Sequence, residues 1–176
     1  MRDHANTSAI EWQPTMVQTP RLILRPVAED DLPLAERLWR NERVRRHLGG
    51  PVSETKIAVR RRTLPNSLGA FAVAERDSHS AVGMITIDPY SGRGGTEVSY
   101  ALLPEPWGIG LGCEAVAAVV QWASGLPGTG EVVAVNQSAN RASRRLLVAV
   151  GMQEWVQVRA APDAVVTERF TWRASA

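Results

Sequence analysis

The chain has 176 residues, of which 44% are apolar and 22% charged, and its formal net charge is +2. That length holds one domain with a real core and leaves no room for a second, and the composition excludes a disordered, fibrous or membrane-embedded chain. The near-neutral balance speaks against bulk nucleic-acid binding, so no direct contact with nucleic acid is expected despite a pI of about 9.2.

Residues 1–18 carry no convincing period, and Pro14 and Pro20 discourage a helix, so a flexible N-terminal arm is expected there, with order beginning at Arg21. The same stretch mixes Arg2, Asp3, His4, Glu11 and Gln13 without an apolar block, which is unlike a secretory signal and leads to a cytoplasmic expectation. Leu22 and Leu24 alternate with Ile23 and Arg25 as a first strand. Asp30 and Asp31 then open a helical stretch in which Leu34, Ala35, Leu38 and Trp39 recur at helix spacing, closed by Gly49, Gly50 and Pro51. Ser53 is placed to cap a further helix reaching about Thr63.

Three strand-like runs follow, Ala70–Glu75, Ala81–Ile87 and Thr96–Leu103, the last two able to pair as a hairpin. Ala115–Trp122 reads as an alanine-rich helix, Leu126–Gly130 as a break, and Glu131–Val135 as a short buried strand. Asn140–Val150 is helical in pattern with Gly151 at the C-cap position, and Glu154–Arg159 and Glu168–Arg173 alternate as strands. One α+β domain results: an early strand and helices, an antiparallel middle, then a strand–loop–helix–strand–helix–strand–strand tail. Arg43, Arg45 and Arg46, and Arg60, Arg61 and Arg62, form two basic clusters that read first as solvated helix faces, the alternative being that they help hold an acidic or RNA-associated partner.

Chemistry concentrates between Tyr100 and Ala115, where a strand enters a helix through Trp107-Gly-Ile-Gly-Leu-Gly112. Free N–H groups at a helix start, its dipole, and glycines that admit close approach make an anion site. A nucleoside-triphosphate loop would end in Gly-Lys-Ser/Thr, whereas this one ends Gly112-Cys113-Glu114. A dinucleotide fingerprint needs its third glycine one residue later, and Glu131 starts a strand where the ribose-binding acid should end one. A purely structural glycine turn stays open. Cys113 is the only cysteine, and His4, His47 and His79 are scattered, so neither a disulfide nor a zinc-ligand spacing exists and no metal is expected.

Trp107-Gly-Ile-Gly-Leu-Gly112 resembles the pyrophosphate loop, Gln/Arg-x-x-Gly-x-Gly/Ala, of the GNAT acyl-CoA-dependent N-acetyltransferases. Tryptophan in first place and the following Glu114-Ala115 are similar to the ribosomal-protein (RimJ/RimL-like) branch. Asn140-Arg-Ala-Ser-Arg-Arg-Leu-Leu-Val-Ala-Val-Gly-Met152 resembles that branch's Asn-x-x-Ser helix ending in Gly-Phe, with Met152 replacing the phenylalanine, and Thr19-Pro-Arg-Leu-Ile-Leu-Arg-Pro26 resembles its first strand. The match covers about residues 19–173 in order, making 19–176 a single acetyltransferase domain.

The resemblance implies the GNAT fold, a mixed and mostly antiparallel central sheet splayed between its fourth and fifth strands, with flanking helices. It implies acetyl-CoA as co-substrate. Its pantetheine amides would meet backbone groups of Ala101, Leu102 and Leu103, and its pyrophosphate the loop of Trp107, Gly108, Ile109, Gly110, Leu111 and Gly112. Asn140 and Ser143 would reach the cofactor arm, Asn140 having a helix N-cap as its alternative and compatible role, and one of Arg141, Arg144 and Arg145, with Arg145 favoured, would reach a phosphate. Glu97, beside the expected thioester, is the candidate general base, its alternative being a paired strand glutamate, and an N–H of the same strand could steady the oxyanion. Many relatives donate a proton from a tyrosine at the position of Leu147, so Ser143, one turn earlier, is the candidate donor, its alternative being packing and capping. Cys113 and Tyr100 read as core. The expected partner is a primary amine, either a protein or peptide N-terminus or a small amine such as a polyamine or aminoglycoside, acted on by a monomer or homodimer. The rival reading is a coenzyme-binding regulator without turnover. Acceptor-side segments would be residues 28–64, 88–95 and 160–167.

Overall fold

A computed structural model describes residues 15–90, 95–158 and 165–172. Alternation and helix spacing yield, in chain order, β1 (Val17–Gln18), β2 (Leu22–Pro26), α1 (Leu32–Arg40), α2 (Glu42–Arg45), α3 (Glu54–Thr63), β3 (Ala70–Glu75), β4 (Ala81–Pro89), β5 (Gly95–Leu102), α4 (Leu111–Ser124), β6 (Glu131–Gln137), α5 (Arg141–Ala149), β7 (Gln153–Val158) and β8 (Thr167–Trp172). The strands form one sheet in the order β1-β2-β3-β4-β5-β6-β8-β7. Every neighbour pair is antiparallel except β5 with β6.

Opposite faces of each strand feed two cores, as the period of two requires. Leu22, Leu24, Phe71, Val73, Ile85, Ile87, Val98 and Leu102 pack under Leu111, Ala115, Val116 and Val119 of α4 and Leu147 of α5. On the other face Ala70, Ala72, Met84 and Leu103 meet Leu34, Ala35 and Leu38 of α1. β3 therefore reads as an unbroken apolar run, since helices cover both its sides.

The expected elements appear within a few residues of their sequence bounds, with three differences, the first being that extended Asn41 breaks the opening helical stretch into α1 and α2, its Oδ1 accepting from Val44 N–H at 3.1 Å. Val17 and Gln18, the end of the stretch expected as an arm, pair with Leu24 and Ile23; residues 1–14 of that stretch lie outside the described residues. A single 3-10 turn over Glu29–Asp31 precedes α1, because Asp31 is held by Arg25 (2.7 and 2.8 Å) and by the Ala28 N–H (2.8 Å) rather than acting as a helical residue. Gly49 and Gly50 end the first helical region with φ of +82° and +78°. Gly151 ends α5 with φ +92°, its N–H donating to Val148 O and that of Met152 to Leu147 O.

Leu147 is 1% exposed, inside the larger core. Leu147→Ala should therefore cost about 2–5 kcal/mol of unfolding free energy in a denaturant titration. A loss below about 1 kcal/mol would show that the site is not packed as described.

Candidate active site

The glycine loop owes its shape to two residues with left-handed backbone. Gly108 and Gly110 have φ of +86° and +85°, and Gly110 is the N-cap of α4. The first N–H of α4 to find a carbonyl is that of Glu114, on Gly110 O at 3.1 Å. Among the described residues the N–H groups of Gly108, Ile109, Gly110, Leu111, Gly112 and Cys113 have no acceptor, and they sit at the positive end of a 14-residue helix. Gly112 is different: a Cβ there would lie 3.0 Å from Leu146 Cδ1, so its bareness serves the approach of α5 to α4.

Arg21 fastens this loop from the far edge of the sheet. Its Nη1 donates to Ile109 O at 2.9 Å, and its Nε and backbone N donate to the Glu114 carboxylate at 2.7 and 2.8 Å, which Thr19 Oγ1 also meets at 2.6 Å. Partial burial pulls the Glu114 carboxyl upward, but the donors Thr19 and Arg21 outweigh it and hold it below the ordinary carboxylate range. An acid thus stands, as a neutralised anchor, at a helix start whose N–H groups are free among the described residues. The first strand and the Glu-Ala after the loop, noted separately in the sequence, turn out to be one contact. Trp107 closes the loop's other end, donating from Nε1 to Leu102 O at 3.1 Å while the Arg43 guanidinium lies 5.1 Å over its ring.

Beside the loop the sheet opens. β5 and β6 pair only at Gly95–Glu131, Thr96–Val132 and Glu97–Val133, and beyond Glu97 the strands have no common rung. Ile87 N–H bonds Gly69 O and Leu103 N–H bonds Val82 O, so by antiparallel alternation Glu97, Ser99, Ala101 and Leu103 turn their peptide groups to β4. Those of Val98, Tyr100 and Leu102 face the gap. Of the three residues expected to serve the pantetheine, Leu103 has its N–H engaged in the sheet and Ala101 faces β4. The groups left open toward the gap are Leu102 N–H and both peptide groups of Tyr100.

Glu97 stands at the apex of this opening, half-buried, directly across from Asp88 on β4. Burial, with the neighbouring Asp88 charge second, pushes its carboxyl above the ordinary range. By alternation its side chain lies on the α1 face, whereas Tyr100 lies on the α4–α5 face. There Tyr100 OH and Ser143 Oγ are 2.7 Å apart. Burial raises the phenol to about 12 against the opposing pull of that hydrogen bond. Ser143 is fixed by the start of α5, where Asn140 Oδ1 accepts its N–H at 3.2 Å. Asn140 is thereby committed as an N-cap through its oxygen, which leaves its amide Nδ2 available. Asn136 Nδ2 braces the same junction by donating to Glu168 Oε2 (3.1 Å) and Asn140 O (3.4 Å).

The structure thus gathers the glycine loop, the β5 gap, Asn140 and Ser143 on one side of the sheet, with Glu97 at the gap's apex on the other. Arg144 is drawn away to Glu154 (2.6 Å) and Glu168 (3.7 Å). Arg141 and Arg145 form no ion pair with the described residues and line an open cleft of about 780 Å³, which the paired Arg144 and Glu168 line as well, together with Ser138, Val148 and Ala149. Cys113 is only partly buried. Tyr100, read from sequence as core, does pack against the larger core beside Val98 and Leu102, and its hydroxyl contact with Ser143 is what the sequence did not show. Part of the acceptor-side expectation, residues 91–94 and 160–164, lies outside the described residues. Among the described residues no group of three His, Cys, Asp or Glu could hold a metal ion, and no helix is long and apolar enough to cross a membrane.

Comparison with known proteins agrees with this geometry. Residues 21–153 match the family model described as an acetyltransferase (GNAT) domain. An uncharacterized N-acetyltransferase, YoaA of Bacillus subtilis (strain 168), is 26% identical over 147 residues, 79% of this chain and 83% of that protein. The fold is similar to an acetyltransferase of the GNAT family from Bacillus anthracis, with a TM-score of 0.77 at 17% identity over 90% of this chain and 98% of that one. It is also similar to spermidine N-acetyltransferase from Vibrio cholerae, solved with CoA and spermine, with a TM-score of 0.72 at 13% identity over 88% and 96% of the two chains. A sheet that parts after Glu97 beside a helix start with free N–H groups, and a family match covering most of the chain, place this protein among the GNAT acetyltransferases.

Proposed function

We propose that the protein transfers acetyl from acetyl-CoA to a primary amine, with a peptide or protein N-terminus as the acceptor class. The observation that carries the reading is the parting of β5 from β6 next to the unpaired N–H groups of Gly108–Cys113. Those N–H groups suit a pyrophosphate, and Leu102 N–H and the Tyr100 peptide groups suit the amides of an extended arm in the gap. Bound acetyl-CoA supplies an activated acetyl thioester. Glu97 takes the proton that frees the acceptor amine, helped by the raised affinity that burial and Asp88 give its carboxyl. Ser143 Oγ–H delivers a proton to the departing sulfur. Asn140 Nδ2 and the cations Arg141 and Arg145 approach the coenzyme from α5.

Charge supports a peptide over a polyamine. Residues 28–64 carry nine Lys or Arg against six Asp or Glu, a surplus that repels an acceptor bearing several ammonium groups. A single N-terminal amine meets no such penalty.

The test follows free thiol release from acetyl-CoA against N-terminal peptides, aminoglycosides and polyamines. Release with peptides and little with spermine is expected. Acetyl-CoA should also raise the melting temperature by mass action whereas NAD leaves it unchanged. Coenzyme binding with no thiol release from any amine would replace this reading with that of a regulator without turnover.

A further inference from the structure

A hydroxyl can deliver its proton to sulfur only if that proton is not already spent elsewhere. In the first turn of a helix a serine commonly turns its hydroxyl to nearby backbone. Ser143 does not: the recorded partner of its Oγ is Tyr100 OH, 2.7 Å away and 43 residues earlier in the chain. Each of these oxygens has one hydrogen and can accept another bond. A phenol is more acidic than an alkanol and is the better donor of the two, so the favoured arrangement runs from Tyr100 O–H to Ser143 Oγ. The Ser143 hydrogen is then left to point away from Tyr100. Two further constraints fix the pair: Asn140 Oδ1 holds the Ser143 backbone, and β5 holds Tyr100 by its place opposite Ile85. The peptide groups of Tyr100 also face the β5–β6 gap, so one residue borders the coenzyme arm and touches the serine beside it.

We infer that Tyr100 is a positioning residue for acetyl transfer, orienting the Ser143 hydroxyl so that its proton is presented to the sulfur of the coenzyme. This rests on the role proposed above for Ser143. In the step the Ser143 proton moves to sulfur and the Tyr100 proton follows it onto Ser143 Oγ across the 2.7 Å contact, because an alkoxide is a stronger base than a phenolate; the phenolate is reprotonated from water on product release. Between turnovers a phenol raised to about 12 keeps its hydrogen throughout the working pH range, so the arrangement does not switch with pH.

The experiment is a double-mutant cycle on the full chain with Tyr100→Phe, Ser143→Ala and the double variant, measuring kcat, KM for acetyl-CoA and melting temperature. Tyr100→Phe keeps the ring and removes only the hydroxyl. The expected loss in kcat is about two- to tenfold, the span one neutral hydrogen bond covers. KM for acetyl-CoA stays at the parent value, and the loss is constant from about pH 6 to 9, well below the phenol's titration. In the Ser143→Ala background the same substitution costs nothing further, because the group it orients is already gone. Parent-like kcat in Tyr100→Phe overturns the inference, as does a loss that multiplies with that of Ser143→Ala. Full activity in Ser143→Ala alone shows that the donor reading beneath it has failed, and absence of transfer by the parent shows that the functional reading has failed. A drop in melting temperature matched by rising KM would mark Tyr100 as a packing residue and likewise overturn the inference.

Discussion

Glu97→Gln is expected to lower kcat by about 10²–10⁴-fold with little change in affinity for acetyl-CoA. The substitution keeps the side chain's shape at the apex of the β5–β6 gap and removes its capacity to take a proton. The raised carboxyl also sets a direction for pH. A base must be ionised to act, so the acidic limb of kcat/KM should lie above the ordinary carboxylate range and move down in Asp88→Asn, which removes the second cause of the shift. Stability runs the opposite way. A carboxyl whose folded pKa lies above its unfolded one favours the fold at low pH and loses that contribution as pH rises through the folded value. Glu97→Gln should therefore unfold at a temperature no lower than the parent at neutral pH while losing turnover. A variant within a factor of about three of the parent between about pH 6 and 9 would make Glu97 a structural strand residue instead.

Gly110→Glu should abolish acetyl-CoA binding, seen as loss of both calorimetric heat and thermal shift. Three effects act in the same direction. Gly110 has φ +85°, where a side chain is strained. A Cβ there would come within 3.5 Å of Arg21 Nη2. The new carboxylate can reach Arg21, compete with Glu114 for it and place a negative charge where a phosphate would sit. Gly112→Glu should also fail to bind, but through Leu146 and the α4–α5 contact, so it should lose melting temperature as well as affinity. Unchanged affinity in Gly110→Glu would move the phosphate site elsewhere.

Local signals made the loop and the α5 start readable. A glycine run into an alanine-rich helix, and Asn140 three residues before Ser143, announce themselves because capping is settled within one turn. The same locality misled at the third glycine. Gly108, Gly110 and Gly112 look alike in sequence, yet only the first two have positive φ, and Gly112 is bare because α5 approaches it. Alternation placed β5 but not which of its amides were free; that needed the register against β4 and the bond from Leu103 to Val82. β1 was invisible because two residues cannot display a period. The link from Tyr100 to Ser143 depends on how closely a helix lies over a strand, and no pattern within either segment encodes that.

The clamp formed by Arg21 also bears on how the molecule comes to be assembled. Ile109 and Glu114 are tied to a residue 88 and 93 positions earlier, and Thr19 spans 95. Contacts of such separation close late, after the entropy of the intervening chain has been overcome by sheet formation. The glycine loop therefore takes its final shape only once β2 has docked on β3 and brought Arg21 to the start of α4. During synthesis the arginine emerges first and waits for its partners, since Ile109 and Glu114 follow 88 and 93 residues later. An N-terminally trimmed chain lacking Arg21 is expected to lose the ties to Ile109 and Glu114, and with them the loop's shape, even with every glycine in place.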